Sequence, residues 1–402
     1  MEHTVPEQRG IFQKGKVFLI SFSHFIHDIY SSFLAPLLPF IIEKFSLTLT
    51  QAGFLSTVMQ IPALFNPLIG KLADRISVRY FIILAPLLTA VPMSLLSVAP
   101  SYGVLLLLLF SAGISVSLFH VPAPVMIYKV SGGRTGRAMS FYMTGGELAR
   151  AVGPLVIISA VSLLGFENYF PIMIFGILAT GFMYLSFKDI PITVDSGRPP
   201  TVRRAFGELK SVLVPLSFIV TFRGFMHASL TAFLPLFIIQ QTDNVWLAGI
   251  SLAVFEGAGV VGILTLGNLS DRFGHRNMLF FSLTVAPLFL FLFVFSPSWL
   301  QLPVLVITGF SLLSTTPVML AMIQEASKSG SSAANGLFMM ISFLARSAVV
   351  VVVGFVADHL GLKHTYIISA VIGLSGIPFI VMIPKQKKRK PELEQDAEKI
   401  QK

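Results

Sequence analysis

The sequence contains no cysteine and few charged residues, and each shortage excludes a class of protein. Without cysteine, the chain of 402 residues has no disulfide scaffold, thiolate metal site or cysteine nucleophile. Charged residues make up 12% of the chain, about half of the ~25% that is usual in soluble domains. Hydrophobic residues make up 54%, more than a soluble core can bury. The composition therefore predicts an integral membrane protein.

The apolar residues form twelve continuous stretches, each long enough to span a bilayer as a helix. Strands of a membrane β-barrel would alternate instead, so we expect an all-α protein. A polar segment divides the stretches into two sets of six. The predicted organisation is an N-terminal segment at 1–16, a six-helix bundle at 17–187, a linker at 188–210, a second six-helix bundle at 211–384 and a basic tail at 385–402.

Most basic residues lie on one side of the predicted helices. Of the 29 Lys and Arg residues, 24 fall in the N-terminal segment, in the loops after even-numbered stretches, in the linker or in the tail. Because cytoplasmic loops are rich in Lys and Arg, we expect both termini in the cytoplasm and the chain in the cytoplasmic (inner) membrane. This distribution explains the net charge of +10 without nucleic acid, and the tail is expected to contact anionic membrane lipids.

The two predicted bundles share short sequences in the same order. The segment Gly-Lys-Leu-Ala-Asp-Arg-Ile-Ser-Val-Arg at 70–79 resembles the segment at 267–276, which lies 197 residues later. Ala-Gly at 52–53 recurs at 248–249, and Leu-Ala-Arg at 148–150 recurs at 344–346, both after 196 residues. Matches in order at nearly one offset indicate a parallel repeat about an axis along the membrane normal, which is common in secondary transporters.

These features resemble the major facilitator superfamily over residues 17–384, through the segment 70–79, its repeat at 267–276 and the six-plus-six layout. Ser-His-Phe at 23–25 with Asp28, Leu-Phe-His at 118–120 and Ser-Gly-Gly-Arg at 131–134 are similar to its fosmidomycin-resistance branch of drug exporters. The chain departs from that branch at His27, 121–124, Glu147 and Arg150. The resemblance therefore implies a monomeric transporter of small molecules that needs no cofactor, but it does not identify the substrate.

The resemblance also implies a conformational latch at the cytoplasmic side. Asp74 is expected to lie at the positive N-terminal end of a neighbouring helix and to hold the outward-facing state until the bundles rock. The latch residues are Gly70, Asp74, Arg75 and Arg79, with a less strict second copy at Gly267, Asp271, Arg272 and Arg276.

Six charged residues lie near the middle of predicted spans, where a charge is unfavourable unless it faces a polar interior. They are Asp28, Glu147, Arg150, Arg223, Glu256 and Arg346. Transporters bind substrate at this depth. The six formal charges sum to zero, so protonation of an acid or a histidine makes the interior positive. This favours an amphiphilic or anionic substrate over a cationic drug.

Several of these residues are candidates for proton coupling. His24, His27 and Asp28 share one helical face, and a carboxylate beside a histidine controls its protonation near neutral pH. We therefore predict that Asp28, His24, His27, Glu147 and Glu256 carry protons. Alternatively, Asp28 tethers a neighbouring helix, and Glu147 forms a self-neutralised pair with Arg150 that lets the helix insert.

Arg223 is the main candidate for an anion ligand, because no acid lies three or four residues away on its helix. The alternative is a salt bridge between Arg223 and Asp28 across the bundles. The superfamily fold would bring Glu256 towards Arg150. The other predicted substrate-binding residues are Arg150, Arg346, His120, His227 and Gln60.

The sequence favours a proton-coupled exporter of small amphiphilic or anionic organic compounds that works by alternating access. A symporter that imports an organic anion with protons is the nearest alternative, and a non-transporting membrane sensor is another. The chain has no nucleophile elbow, no H-E-x-x-H and no phosphate-binding glycine loop. We therefore expect no enzyme activity, no metal site and no cofactor.

Overall fold

The computed structural model describes residues 12–66, 69, 78–131, 135–187, 202–326 and 331–384, and their regular structure is entirely helical. The helices before the linker are Lys14–Ser31 (α1), Leu34–Phe45 (α2), Leu49–Gln60 (α3), Val78–Leu95 (α4), Tyr102–His120 (α5), Ala123–Val130 (α6), Thr135–Leu164 (α7) and Met173–Phe187 (α8). Those after it are Val202–Thr242 (α9), Val245–Phe273 (α10), His275–Phe295 (α11), Ser298–Leu313 (α12), Thr315–Ala326 (α13), Ser331–Leu374 (α14) and Ile377–Met382 (α15).

Ten helical segments of the described residues are long and apolar enough to cross a membrane. The predicted second span is described only in part, and the predicted last two spans fall within one segment, Leu337–Met382. That segment bends at Gly361, whose φ of 75° favours glycine. Residues before and after this bend lie beside the same level of α9, since Gly224 approaches Val349 and Met226 contacts Gly373. The chain therefore reverses direction at Gly361.

The sequence repeat corresponds to repeated local structure. Helices α3 and α10 begin 196 residues apart, and each has a side-chain cap that satisfies a free N–H of the first turn. The Thr48 hydroxyl accepts from Gln51 N–H at 3.1 Å, and the Asn244 side chain accepts from Leu247 N–H at 2.9 Å. The equivalent caps support the predicted parallel arrangement of two helical bundles.

Two equivalent helix pairs join the bundles, α3 with α14 and α10 with α7. A Cβ at Gly53 would lie 2.7 Å from Val350 O, and a Cβ at Gly249 would lie 2.9 Å from the Ile158 side chain. At Gly53 the neighbour is backbone, so glycine is required for this close approach. At Gly249 a Cβ would force the Ile158 side chain to move. Gly53 and Gly249 are repeat partners, which explains why both copies keep a glycine at the head of the helix.

An acid from one bundle caps a helix of the other at this end of the molecule. Asp358 of α14 accepts hydrogen bonds from Leu49 N–H at 2.6 Å, Thr50 N–H at 2.8 Å and the Thr50 hydroxyl at 2.5 Å. The first N–H groups of a helix lack partners within it and attract negative charge. Asp358 was not among the residues predicted from sequence, because a charge at the end of a span is ordinary.

Cross-bundle contacts extend from this capped end towards the middle of the helices. The Thr57 hydroxyl donates to Ser347 O at 2.8 Å. Beside it lies a cavity of about 490 Å³ between α3 and α14, lined by Phe54, Thr57, Gln60, Ile61, Leu64, Phe343, Leu344, Ser347, Ala348 and Val351. The bundles are thus held together at the end that carries Leu49 and Asp358, which we call the capped end.

Replacing Asp358 with asparagine should loosen the capped end. The amide carries no charge and has one acceptor oxygen for three donors, which costs roughly 1 kcal/mol at an exposed site. Spin labels on Gln51→Cys and His359→Cys are unique thiols in a chain without cysteine. In Asp358→Asn, the ratio of molecules with a longer distance between the labels to molecules with the shorter distance should rise several-fold. Asp243→Asn, an exposed acid at the same end, is the matched control, and an unchanged distribution in Asp358→Asn would contradict the capping role.

Candidate functional site

Asp28 lies inside the first bundle and is surrounded by three histidines. The residue is 4% exposed. Its Oδ2 lies 3.3 Å from His24 Nε2, and its Oδ1 lies 3.6 Å from His120 Nε2 and 3.8 Å from His27 Nε2. The one-face placement of His24, His27 and Asp28 agrees with their spacing, whereas His120, predicted to line the substrate cavity, joins them from α5. We call these four residues the Asp28 cluster.

Backbone carbonyl groups fix the orientation of two histidine rings. His24 Nδ1 lies 2.8 Å from Tyr142 O, and His120 Nδ1 lies 3.0 Å from Val116 O. Because a carbonyl oxygen only accepts, each Nδ1 must carry a proton. The two Nε2 atoms therefore face each other at 3.3 Å with the carboxyl group beside them. If both rings were neutral, the lone pairs of these two Nε2 atoms would point at each other and repel. A proton or another cation between the two nitrogens removes this repulsion.

His27 is fully buried and lies beside His120, with its ring centroid 5.6 Å from that of His120. Its Nδ1 lies 2.7 Å from the Thr89 hydroxyl, which also contacts the Ser115 hydroxyl at 2.7 Å. Among the described residues, neither His27 Nε2 nor Asp28 Oδ1 has a hydrogen-bond partner. Buried polar atoms without partners are uncommon and costly, so the Oδ1 atom of Asp28 is incompletely satisfied.

Helix α7 passes the Asp28 cluster at a glycine. A Cβ at Gly146 would overlap the His24 ring and lie 3.1 Å from Asp28 Oδ2. One turn earlier, the Tyr142 ring stacks on His24 at a centroid distance of 4.2 Å. Gly146 and Tyr142 therefore form one wall of the cluster, while the His120 side chain, 34% exposed, forms its accessible side.

A second group of charges connects the bundles. Arg150 of α7 pairs with Glu147 on its own helix, and its Nε lies 3.8 Å from Glu256 Oε2 on α10. The spacing of the first pair and the superfamily resemblance had indicated both contacts. Arg346 lies close enough to interact electrostatically with Arg150, Glu256 and Glu147, and its guanidinium lies 5.9 Å from the Phe343 ring centroid. These four charged residues form the central charge group.

Arg223 is buried in the second bundle without an acidic partner among the described residues. It donates to Leu312 O at 2.9 Å, the Thr315 hydroxyl at 2.5 Å and the Thr316 hydroxyl at 3.0 Å, where α12 ends and α13 begins. Within the described part of the chain, its Nε has no hydrogen-bond partner, and its charged neighbour is Arg346. The alternative salt bridge to Asp28 is not formed in this conformation.

The Asp28 cluster and the Arg223 site occupy equivalent places in the repeat. His27 and Arg223 are 196 residues apart, as are His120 and Thr316. In each bundle, a side chain of the first long helix reaches the break between two consecutive helices, α5 and α6 or α12 and α13. The first copy contains an acid with three histidines, and the second contains a guanidinium with hydroxyl groups. The duplicated scaffold therefore carries two sites of opposite chemical character.

The remaining predicted site residues are spread more widely. His227 lies 3.4 Å from the Thr231 hydroxyl and within electrostatic range of Arg346, Arg223 and Arg150. Gln60 donates to Ser56 O at 3.3 Å and lines the cavity between α3 and α14.

The predicted latch is only partly described. Gly70, Asp74 and Arg75 lie outside the described residues, and Gly267 and Asp271 belong to α10 without a described side chain. Arg79 donates to the Tyr80 hydroxyl at 3.1 Å, and Arg276 donates to Val381 O at 3.2 Å. Arg272 lies over the Phe273 ring at 5.6 Å. The latch role of these residues stays a prediction.

A family model described as Major Facilitator Superfamily matches residues 20–265 and 216–402 of this chain. The chain belongs to this superfamily. The resemblance seen in the sequence is thus confirmed, and so is the expected fold class. As a superfamily member with many apolar helices, the protein is a multi-pass membrane transporter and not an enzyme.

Named relatives point in the same direction. The chain is 27% identical over 366 residues to the fosmidomycin resistance protein of Escherichia coli (strain K12), covering 89% of this chain and 90% of that protein. It is 27% identical to the multidrug resistance protein MdtG of Serratia proteamaculans (strain 568), covering 75% and 76%. The solved structure of a D-xylose-proton symporter matches with a TM-score of 0.79 at 12% identity, over 95% of this chain and 100% of that one. At this identity the last match supports the fold alone.

Replacing Gly146 with alanine should destabilise the transporter. The new methyl group would overlap His24 and crowd the Asp28 carboxyl group, and overpacking of this kind costs about 1–3 kcal/mol. Gly181→Ala is the control, because a Cβ at Gly181 meets nothing within 4 Å. Thermal unfolding in detergent should show a lower Tm for Gly146→Ala but not for Gly181→Ala. Equal Tm values for the two variants would show that the residues around Gly146 move aside at little cost.

Proposed function

We propose that this transporter exports small amphiphilic or anionic organic compounds in exchange for protons, by alternating access. The observation that carries proton coupling is the pair of Nε2 atoms of His24 and His120, 3.3 Å apart beside a buried carboxyl group. A proton between these atoms removes the lone-pair opposition, and its loss restores that opposition. Because His120 is partly exposed, the proton has a path into the cluster.

The charge distribution favours an anionic or polar-headed substrate. The central charge group and Arg223 together contain three guanidinium groups and two carboxyl groups. Asp28 does not balance the excess, because its own histidines surround it. A substrate anion near Arg223 and Arg346 would supply the missing charge, and Arg presents paired donors suited to a carboxylate or phosphate group. The phenylalanines of the cavity between α3 and α14 suit an apolar substrate portion.

Export is favoured by the relatives that are named for resistance to fosmidomycin and to multiple drugs. With both termini in the cytoplasm, as the basic loops predict, the capped end faces outwards, and its contacts between the bundles close the outer side. Asp358 then stabilises the inward-facing state, and Asp74 is the corresponding acid for the outward-facing state.

Import of an organic anion together with protons is the second candidate. A proton added to the Asp28 cluster makes the interior more positive, which by itself favours anion binding. The two candidates differ in the sign of this coupling. In an antiporter, acidification weakens substrate binding, because proton and substrate compete. In a symporter, acidification strengthens it, so affinities measured across a pH series distinguish them.

Asp28→Asn should abolish proton-driven transport while leaving the fold intact. The amide cannot hold the cluster's negative charge, so the histidines lose the group that draws a proton to their Nε2 atoms. The assay is dissipation of an imposed pH gradient by reconstituted vesicles, with fosmidomycin and a panel of organic anions as probes. Asp243→Asn, an exposed acid away from the cluster, should behave as wild type. Wild-type gradient dissipation by Asp28→Asn would refute the coupling role.

Arg223→Lys should weaken binding of an anionic substrate. The charge remains, but the planar pair of donors is lost, and one charge-assisted hydrogen bond is worth about 1.5–3 kcal/mol. This corresponds to roughly tenfold to a hundredfold in affinity, measured by titration of the best probe found in a thermal-shift screen. An unaltered Tm of the ligand-free variant shows that the fold is retained. Near-native affinity with a retained fold would make Arg223 a structural residue.

A further inference from the structure

We propose that the Asp28 cluster is also a binding site for a divalent transition-metal ion of the zinc class, held by His24, Asp28 and His120. This contrasts with the sequence-based expectation of no metal site. The proposal does not depend on the direction or substrate of transport, because it concerns the ligand atoms of one cluster inside the first bundle.

The two ligand nitrogens have the separation of a tetrahedral site, and the carboxyl oxygens of Asp28 lie beside them. Nitrogen and oxygen ligands at about 2.0–2.1 Å from a tetrahedral zinc ion lie about 3.3–3.4 Å from one another. His24 Nε2 is 3.3 Å from His120 Nε2 and 3.3 Å from Asp28 Oδ2, and His120 Nε2 is 3.6 Å from Asp28 Oδ1. The two distances to Asp28 involve different oxygens, and one ligand atom from each of the three residues lies within 4.8 Å of the others. A carboxyl group that binds through either oxygen, or through both, completes the site.

The surroundings orient the ligands as in known metal sites. Metal-bound histidines usually donate their second ring N–H to a carbonyl or carboxylate, which fixes the tautomer. His24 and His120 both do so, to Tyr142 O and Val116 O. Their lone pairs consequently point into the space between the rings and the carboxyl group. A cation there satisfies both nitrogens and Asp28 Oδ1, which lacks a hydrogen-bond partner.

The cluster also has room, access and a tolerable charge environment. Gly146 leaves space where a side chain would cover His24 and Asp28, and the partly exposed His120 provides entry and an open fourth position. Arg150 lies within electrostatic range of Asp28, but its charge is opposed by Glu147 and Glu256. His27 Nε2, 3.8 Å from Asp28 Oδ1, is a further nitrogen beside the site.

The ligand set identifies the class of ion. Two imidazoles and one carboxylate suit Zn²⁺, Co²⁺ and Ni²⁺, whereas Mg²⁺ and Ca²⁺ prefer oxygen ligands alone. We therefore expect selective binding of one transition-metal ion per chain, and no comparable effect of Mg²⁺ at the same concentration.

The test is a Co²⁺ titration of the purified full-length transporter, followed by visible d–d absorption and competed with Zn²⁺. An affinity tag other than polyhistidine is needed. Two exposed histidines at the capped end, His359 and His364, offer a competing surface site, so the reference protein carries His359→Gln and His364→Gln. His24→Asn and His120→Asn are then introduced singly into this reference protein.

The reference protein should bind one Co²⁺ with an ordered tetrahedral spectrum that Zn²⁺ removes. Loss of a group that hydrogen-bonds to a metal ligand already weakens metal binding about 10–100-fold, so loss of the ligand itself should weaken it by at least ~100-fold in each variant. X-ray absorption of the zinc-loaded reference protein should show two imidazoles and oxygen at about 2.0–2.1 Å, which needs no variant to fold. Absence of stoichiometric binding, or equal affinity in the histidine variants, would overturn the proposal.

Discussion

A carboxyl group enclosed by an apolar helix bundle must be compensated by a positive charge or a proton, and Asp28 imposes this constraint on the first bundle. Burying an uncompensated charge is very unfavourable. Here the neighbours of the carboxyl group are histidines, which gain and lose a proton near neutral pH, whereas an arginine would always be positively charged. The requirement extends to three helices, because α7 supplies the Tyr142 carbonyl and the Gly146 gap, and α5 supplies His120. The polar interior of this bundle is organised around one side chain.

The second bundle repeats this arrangement, but there the buried charge is positive and lacks a negative partner. Arg223 takes the place of His27 in the repeat and reaches Thr316, the counterpart of His120, but no acid among the described residues accompanies it. One bundle thus lacks a cation and the other lacks an anion. Arg150, Glu147, Glu256 and Arg346 lie between them and interact with both sides. Occupancy of one site changes the potential at the other, which is the physical requirement for coupling two ligands.

Features that repeat locally along the chain were predictable, and those that need distant packing were not. The length of the apolar stretches predicted the membrane spans, and the sequence repeat predicted that Gly53 and Gly249 are equivalent. Helical spacing predicted that Glu147 lies beside Arg150 and that His24 lies beside Asp28. His120 was expected in the substrate cavity, yet it lies against residues 96 positions earlier. Asp358 contacts a helix that begins 309 residues before it. No periodicity along one helix encodes such contacts, because they depend on how separate helices pack.

The helix pair α3 and α14 shows which contacts hold the bundles together at the capped end. At the capped end, Asp358 accepts the first N–H groups of α3, and Gly53 and Gly354 bring the backbones into contact. An acid at a helix N-terminus contributes about 0.3–1 kcal/mol, or somewhat more when partly buried. Because this contact contributes so little free energy, a ligand that binds the two conformations of a transporter with unequal affinity can outweigh it.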